Sequence, residues 1–468
     1  MSKHTSFIKN NFFVFSNRTF SKILTFFLML FLARKLNPVG FGELAILITT
    51  ASMFALLLDL GSSFVIVREI ASQNLEPNEV LYSTLFTKII FGVFTFIALV
   101  LFIHLMGYND IIIQASYLFA IGQLFESFLM SVVKYYEGQE RMVISSFLQI
   151  AERIIIVISI FMFYNFTTLI RGYGFAYITS NLTALLIGII LSKKLLNFWK
   201  YIKINIIKKL LIYSFPFIIF NIFSVIYNRV DIFIISHFYN EYQVGLYRAC
   251  SQLIESIYFI SLGLNITLLP FFARSFKENS EDTKIKYSFL SKELVLLGIL
   301  ITVIIYANAV GILDILYRNK YLAGSLTFTI LSITIPFYFL SNIMGNLLIA
   351  IGKEKIQITS AVVSTIAKLI LLIFFIKMWG IVGAAISATI AELLSFSIQY
   401  WGTLKNGFIL QIMKKDYSKI IILILYSICI ILIKSLLITF ILLLPVSYFL
   451  FHETISFLRK YFPRGVNA

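Results

Sequence analysis

Polar and charged side chains recur at helical spacing inside two strongly apolar stretches of this sequence. In the first stretch the steps are 7, 4 and 3 residues, through Asn11, Arg18, Lys22 and Thr25. In the second stretch the steps are 7, 3, 4 and 3 residues, through Ser214, Asn221, Ser224, Asn228 and Asp231. Steps of this size place each set on one face of an α-helix. Bases on such a face can bind an anion, and a carboxylate there can bind a proton or another cation.

These stretches belong to a chain that is apolar almost from end to end. Of its 468 residues, 59% are hydrophobic and 13% are charged. A soluble domain of this size needs a charged surface, whereas a helix that crosses about 30 Å of hydrocarbon needs about 20 apolar residues. The sequence therefore predicts a polytopic membrane protein with candidate helices near residues 11–33, 43–67, 81–106, 111–133, 142–164, 172–192, 210–236, 245–272, 293–313, 324–350, 356–376, 380–404, 417–433 and 435–452.

Lys and Arg residues are distributed unevenly between the two sets of predicted loops. The set that includes both termini holds 25 of them, and the other set holds 8. Positively charged loops stay on the cytoplasmic side of a membrane, so we expect both termini in the cytoplasm. The same rule accounts for the net charge of +17 without nucleic acid as a partner. Basic loops attract the anionic headgroups of the lipid bilayer instead.

Several charged residues fall inside the predicted helices. A charge at the centre of a membrane helix costs about 2.5–3.5 kcal/mol, so it normally faces a partner or a watery cavity. We expect the bases in a central cavity to bind an anionic substrate, and these are Arg18, Lys22, Arg153, Arg229 and Lys368. We expect three carboxylates to bind a coupling ion, namely Asp59, Asp231 and Glu255.

Local neutralisation is the alternative interpretation of the same charges. Glu152 lies beside Arg153, and Arg229 lies near Asp231, so both pairs could be structural. Arg18 and Lys22 could equally extend their side chains toward the cytoplasmic surface of the membrane.

Short internal matches indicate a duplicated unit of six helices. Residues 138–146 align without a gap with residues 352–360, at an offset of 214. Two weaker matches have offsets of 203 and 209, and they pair Phe41-Gly42 with Val244-Gly245 and Gly174-Phe175-Ala176 with Gly383-Ala384-Ala385. Because six is an even number, both copies enter the membrane from the same side as parallel repeats.

The predicted fold is therefore an all-α polytopic membrane protein in which two six-helix parallel repeats surround a central cavity. A C-terminal helix hairpin follows, which gives 12–14 transmembrane helices in total. The predicted parts are an N-terminal half at 1–197, a basic cytoplasmic linker at 198–209 and a C-terminal half at 210–405. An additional hairpin with a cytoplasmic tail follows at 406–468.

Motifs for catalysis and metal binding are missing from the sequence. Gly352-Lys353 lacks the preceding glycine and the following Ser or Thr of a phosphate-binding loop. The four histidines are scattered, and Cys250 and Cys429 are far apart. We therefore expect neither enzymatic activity nor a cofactor nor a metal site.

Four short segments resemble one family of membrane proteins. They are residues 33–42, residues 227–231 leading to 244–247, residues 352–355, and residues 380–385. In this order they are similar to the bacterial lipid-linked oligosaccharide flippases of polysaccharide biosynthesis, within the multidrug/oligosaccharidyl-lipid/polysaccharide exporter superfamily. The likeness covers roughly residues 5 to 404.

The resemblance implies a protein of the bacterial inner membrane that moves undecaprenyl-pyrophosphate-linked repeat units to the periplasmic leaflet, for O-antigen or capsule biosynthesis. It also implies a cavity lined with cationic residues and coupling to an ion gradient. A polysaccharide polymerase and a chain-length regulator are the implied protein partners. The pyrophosphate of such a substrate would require bases like those predicted here.

Two other functions remain possible at this point. A multidrug or cation antiporter of the same superfamily should have an acidic or apolar pocket, whereas the five bases expected in the cavity argue against such a pocket. A membrane polysaccharide polymerase usually carries large periplasmic loops or acidic residues after its first helix. Here residues 34–42 contain no acid, and the long loops are predicted to be cytoplasmic.

Overall fold

The structure is a computed structural model that describes residues 3–73, 75–191, 201–410 and 414–433, with residues 439, 441–443, 445–448, 450 and 452. Thirteen α-helices and one 3-10 helix have bounds within the described residues, and the described residues from 439 to 452 are helical as well. Helices α1 to α7 are Lys3–Asp59, Ser62–Ala71, Pro77–Leu105, Asp110–Gly138, Met142–Phe163, Leu169–Leu191 and Ile204–Phe238. Helices α8 to α13 are Glu241–Glu278, Ser280–Tyr317, Ser325–Ser332, Thr334–Ala350, Glu354–Lys405 and Lys414–Ile433, with the 3-10 helix at Arg318–Gly324.

Backbone breaks separate helices that run on in sequence. In α1 the break is at Asn37, with φ 60°, just before Pro38, because a proline disfavours the helical conformation of the residue before it. In α12 it is at Gly380, with φ 58°, which a glycine adopts readily. The break at Asn37 falls between two helices that the sequence predicts as separate, and the break at Gly380 falls at the first residue of the predicted helix 380–404.

Other breaks fall where the sequence predicts one continuous helix. The predicted helix 43–67 is divided at Leu60 and Gly61, which have φ values of 43° and 73°. In the predicted helix 324–350, α10 ends at Ser332 and α11 begins at Thr334, while Ile333 between them keeps helical φ and ψ angles of −62° and −23°. The first of these breaks lies directly beside Asp59 and therefore shapes the surroundings of that carboxylate.

Seven segments of the described part are long and apolar enough to cross a membrane, by length and composition. They are Thr19–Asp59, Pro77–Leu105, Asp110–Gly138, Met142–Phe163, Leu169–Leu191, Ser280–Ala350 and Glu354–Lys405. The first has 41 residues and the last has 52. At a rise of about 1.5 Å per residue each of these two is about twice as long as the hydrocarbon thickness or more, so each contains two crossings. The chain is a multi-pass membrane protein.

The chain divides into two compact units, Met1–Gly245 and Leu246–Ala468. In the first unit, buried residues of α2 such as Val65 and Ile70 pack with Tyr136 of α4 and Leu210 of α7. In the second unit, α13 packs on α9 through buried side chains such as Leu423, Tyr426, Leu296 and Leu300. The boundaries expected from the sequence at residues 197, 209 and 405 stay predictions.

Candidate functional site

Asp59 and Lys88 form an ion pair inside the first unit. The Nζ atom of Lys88 lies 3.1 Å from Oδ1 of Asp59, and the Lys88 side chain is 1% exposed. Lys88 also donates to the backbone carbonyl of Ser127 at 3.0 Å. This lysine of α3 therefore neutralises the carboxylate at the end of α1 and connects it to α4.

The break after α1 supplies further hydrogen bonds to the same carboxylate. Because the backbone turns at Leu60 and Gly61, the first turn of α2 comes back toward Asp59. The hydroxyls of Ser62 and Ser63 donate to Asp59 Oδ1 at 3.1 and 2.7 Å. A carboxylate with three donors is stabilised in its charged form.

A small cavity of about 20 Å³ adjoins this pair. Its polar lining comes from Asp59, Ser62, Thr84, Thr87, Lys88 and Ser214. This volume is enough for one water molecule. Ser214 is 1% exposed, and in the described part of the chain its hydroxyl has no hydrogen-bond partner. The cavity thus lies between Ser214 of α7 and the Asp59–Lys88 pair, and its polar lining can form hydrogen bonds with a water molecule.

A second polar group, which we call the tyrosine–carboxylate cluster, lies where α4, α5 and α6 meet. Its members are Gln123, Glu126, Glu152, Arg153, Tyr173 and Tyr177. Arg153 Nε lies 3.1 Å from Oε2 of Glu152, whose side chain is 5% exposed. Arg153 also interacts electrostatically with Glu126 and with both tyrosines. One guanidinium therefore serves two carboxylates.

Close helix packing positions the tyrosines of this cluster. The ring of Tyr177 lies against the backbone of α4 at Gly122, where a Cβ atom would overlap the ring. One turn of α4 then brings Gln123 and Glu126 beside the Tyr177 hydroxyl. Phe119 stacks on Tyr173 at 5.6 Å, with 16° between the ring planes. The small residue at position 122 thus determines which polar groups the hydroxyl reaches.

The second unit contains another group of tyrosines and acids. Tyr258 of α8 stacks on Tyr338 of α11, with ring centroids 3.8 Å apart and planes 12° apart. The hydroxyl of Tyr258 lies 2.5 Å from that of Thr334. Both rings interact electrostatically with Glu392 of α12 and with Glu255. This group combines aromatic faces with carboxylates, a composition that can bind hydroxyl-rich ligands.

The predicted ion-coupling residues lie in three different settings. Asp59 pairs with Lys88, as described above. Glu255 is 43% exposed and accepts a hydrogen bond at 2.6 Å from Arg248, which lies two turns earlier in α8. Asp231 is 6% exposed. The role of these three carboxylates in ion coupling stays a prediction.

The predicted substrate-binding bases are also placed individually. The side chain of Arg18 lies outside the described residues. Lys22 is exposed, Arg229 is half-buried, and Lys368 is 5% exposed. Arg153 is 32% exposed and lies beside Glu152, which agrees with the alternative of local neutralisation at this pair. The roles of these five bases stay predictions.

Sequence reasoning did not select Lys88, Gln123, Tyr177 and Arg248 as site residues. Lys88 carried a usable signal, because it is the only Asp, Glu, Lys or Arg in the predicted helix 81–106. An isolated base in such a helix requires an acidic partner. Gln123 and Tyr177 carried no comparable signal, since their contact joins α4 to α6 across 54 residues.

Among the described residues, no group of three or more His, Cys, Asp or Glu side chains could hold a metal ion.

The sequence matches the profiles of two protein families. The family described as polysaccharide biosynthesis protein matches residues 7–276, which is more than half of the chain. The family described as MatE matches residues 216–374. The first match contains the whole tyrosine–carboxylate cluster and the Asp59–Lys88 pair.

Two curated proteins are similar along most of the chain. The capsular polysaccharide biosynthesis protein CapF of Staphylococcus aureus is 22% identical, over 84% of this chain and 98% of that protein. A Shigella flexneri protein named for O-antigen transport is 26% identical, over 79% of this chain and 91% of that protein.

Solved structures show the fold. The lipid II flippase MurJ, in an inward closed conformation, matches with a TM-score of 0.74 at 17% identity, over 94% of this chain and 99% of that one. An inward-facing multidrug resistance transporter of the MATE family matches with a TM-score of 0.66 at 14% identity, over 82% and 94% of the two chains. The predicted all-α transporter fold is confirmed, and the arrangement of its two repeats stays a prediction.

Proposed function

The chain belongs to the polysaccharide biosynthesis protein family, and we propose that it is a flippase for undecaprenyl-pyrophosphate-linked oligosaccharide repeat units. The observation that carries this proposal is the family match over residues 7–276, which includes two sets of buried charges in the first unit. The names of the relatives support it, since they refer to capsular polysaccharide biosynthesis and O-antigen transport. The fold supports it as well, because a lipid II flippase shares it.

The chemistry of the proposed substrate requires the bases that this chain places in its spans. A pyrophosphate and a hydroxyl-rich glycan cannot cross hydrocarbon unaided, whereas a polyprenyl tail can remain in the lipid. We propose that Arg18, Lys22, Arg153, Arg229 and Lys368 contact the pyrophosphate along its path. Arg153 illustrates the capacity for this, because its guanidinium has five N–H donors and only part of them is used by Glu152.

Ion coupling is the second part of the proposal, with Asp59, Asp231 and Glu255 as the binding carboxylates. At Asp59 the coupling ion would compete with a residue of the protein itself. This residue is Lys88, and a cation on Asp59 would weaken the ion pair between them and so change the contact of α1 with α3. Binding of the ion and movement of helices would thereby be linked in one step.

The cellular setting follows from this function. We propose that the protein lies in the bacterial cytoplasmic membrane with both termini in the cytoplasm, in accordance with the distribution of Lys and Arg. Its substrate would come from glycosyltransferases on the cytoplasmic side. A polysaccharide polymerase and a chain-length regulator would use the product on the other side. The protein itself would transport the substrate without a chemical reaction.

Export of drugs or cations is a second candidate function. The MatE match over residues 216–374 and the likeness to a multidrug transporter favour it. Such an exporter would use the exposed Glu255 to bind cationic compounds. The two functions predict different phenotypes when the gene is deleted.

Deletion of the gene tests the proposal. A flippase predicts that lipid-linked repeat units accumulate on the cytoplasmic leaflet and that surface polysaccharide is lost, with both restored by the wild-type gene. An exporter predicts unchanged surface polysaccharide and greater sensitivity to cationic drugs. Normal surface polysaccharide in a strain without a related exporter would contradict the flippase function.

A further inference from the structure

Two bases from different helices of the first unit lie over the same aromatic ring. The Cζ atom of Arg68 in α2 lies 4.8 Å from the centre of the Tyr213 ring. The Nζ atom of Lys209 in α7 lies 5.5 Å from the same centre. A cation at such a distance is attracted by the face of an aromatic ring. The ring of Tyr213 therefore holds two positive charges close together.

These two bases also share one carboxylate. Oε1 of Glu69 accepts hydrogen bonds from Nε and Nη2 of Arg68 at 3.2 and 3.0 Å, and Oε2 lies 3.4 Å from Nζ of Lys209. The side chain of Glu69 is 3% exposed, whereas those of Arg68 and Lys209 are 50% and 35% exposed. The neighbouring Lys208 is exposed as well. An anion that approaches from outside therefore meets an excess of positive charge, with the acid on the buried side.

The bases lie where two membrane crossings end. The segment Thr19–Asp59 ends three residues before α2 begins at Ser62, and the predicted helix 210–236 begins directly after Lys209. Because the bases of both helices contact the Tyr213 ring, these two ends lie at the same surface of the membrane. Tyrosine and long basic side chains are typical of the boundary between hydrocarbon and headgroups. The group thus lies at the level of the lipid phosphates.

Exposed apolar side chains accompany the bases on both helices. Phe64 is 50% exposed and precedes Arg68 by four residues in α2. Ile212 is 69% exposed and follows Lys208 by four residues in α7. Residues four apart lie on the same side of a helix, so each helix presents an apolar group and a base side by side. A phospholipid has the complementary pair of properties, since a charged phosphate adjoins its hydrocarbon chains.

We propose that Arg68 and Lys209 bind the phosphate of an anionic phospholipid, whose hydrocarbon chains lie on Phe64 and Ile212. The guanidinium can do so because it has two N–H donors on Nη1 besides the groups that contact Glu69. A zwitterionic phospholipid binds less tightly, since its ammonium group would meet the two bases while the carboxylate of Glu69 is buried. One lipid molecule thereby connects α2 with α7. This site does not depend on the proposed flippase function.

Native mass spectrometry of the purified full-length protein tests the proposal, with phosphatidylglycerol and phosphatidylethanolamine as probes. The wild type should bind its first phosphatidylglycerol more tightly than phosphatidylethanolamine. Arg68→Gln with Lys209→Gln should bind phosphatidylglycerol about 25-fold more weakly, because each base near an anionic headgroup contributes about fivefold. The control Lys353→Gln with Lys355→Gln removes two exposed bases elsewhere and should bind like the wild type. Equal affinity of the wild type and the Arg68, Lys209 variant overturns the proposal.

A second variant covers the case in which the double variant does not fold. Glu69→Gln keeps both bases and removes the carboxylate that competes for them, so phosphatidylglycerol should bind more tightly than to the wild type. Affinity no greater than that of the wild type contradicts the proposal.

Inorganic pyrophosphate as a competitor separates a lipid site from a site for phosphate alone. We expect phosphatidylglycerol to stay bound to the wild type at an equal concentration of pyrophosphate, because pyrophosphate gains nothing from Phe64 and Ile212. Its release would show that phosphate alone is recognised, and the assignment to a phospholipid would be wrong. None of these measurements requires transport.

Discussion

Gly42 and Gly245 lie against each other in a reciprocal contact. A Cβ atom on Gly42 would overlap the carbonyl oxygen of Glu241, and one on Gly245 would overlap that of Pro38. The same Cβ atoms would lie 3.0 and 3.1 Å from the backbone nitrogen of the other glycine. Gly245 lies four residues after Glu241, and Gly42 lies four residues after Pro38. Both sides of the contact therefore have the same arrangement.

We predict that alanine at either glycine separates the two helices. Gly42→Ala and Gly245→Ala should each reduce the free energy of unfolding by about 1–3 kcal/mol, because backbone atoms must shift to admit the methyl group. The measurement is the thermal unfolding of the purified protein in detergent. Gly172→Ala is the matched control, since its Cβ would lie in ordinary contact at 3.5 Å from Phe163. Equal stability of all three variants would contradict the close contact.

The thirteenth helix is fixed by two crossed ion pairs. Lys419 of α13 donates to Glu293 of α9 at 2.6 Å, and Lys292 donates to Asp416 at 2.6 Å. The side chains of Lys419 and Glu293 are both 5% exposed. Glu293→Ala should therefore reduce the free energy of unfolding by about 3–5 kcal/mol, because it leaves a buried charge without its partner.

Exchanging the charges of Glu293 and Lys419 tests whether their ion pair contributes to the stability of the protein. Glu293→Lys with Lys419→Glu should be more stable than either single reversal in the same thermal measurement. If the double variant is no more stable than the single ones, the Lys419–Glu293 pair does not contribute to the contact between the two helices.

At the Asp59–Lys88 pair we predict unequal effects of the two single substitutions. Asp59→Asn leaves the charge of Lys88 buried at 1% exposure, so the free energy of unfolding should fall by about 3–5 kcal/mol. Lys88→Met should cost less, because Asp59 is 24% exposed and retains the hydroxyls of Ser62 and Ser63. Chemical denaturation would show both effects. An Asp59→Asn protein as stable as the wild type would mean that the pair is not formed in the membrane.

The removal of both bases from the first helix should abolish export. Arg18 and Lys22 are four residues apart and therefore share one face. Arg18→Ala with Lys22→Ala should reduce surface polysaccharide to the level of the deletion strain while the protein remains in the membrane. Arg18→Lys should have a milder effect, since only the bidentate contact with phosphate is lost. Full export by the double alanine variant would identify the two residues as surface anchors.

The sequence predicted the helices well because apolar length and isolated charges are local signals. The break at Asn37 falls between two predicted helices and the break at Gly380 at the start of another, where a proline or a glycine is visible in the sequence. The break at Leu60 was not predicted, since no proline stands there and the glycine follows it. Its consequence is local but important, because it brings Ser62 and Ser63 back to Asp59.

The partners of the charged residues could not be predicted in the same way. Glu152 and Arg153 are adjacent in sequence, so their pairing was one of two stated alternatives. Lys88 and Asp59 are 29 residues apart, and Tyr177 and Glu126 are 51 apart. Contacts of this kind depend on which faces of two helices meet. The hydrophobic pattern of a membrane helix does not specify this, because the lipid-facing and protein-facing sides are both apolar.

Reconstitution of the purified protein into liposomes tests the flippase function without the other components of the cell. Liposomes would contain undecaprenyl-pyrophosphate-linked oligosaccharide in both leaflets, and a membrane-impermeant glycosidase outside would remove the glycan that it can reach. We expect that liposomes with the protein lose the glycan of both leaflets, and that liposomes with the Arg18→Ala, Lys22→Ala variant lose only that of the outer leaflet. Glycan loss limited to the outer leaflet with the wild-type protein, with and without an imposed ion gradient, would contradict the flippase function.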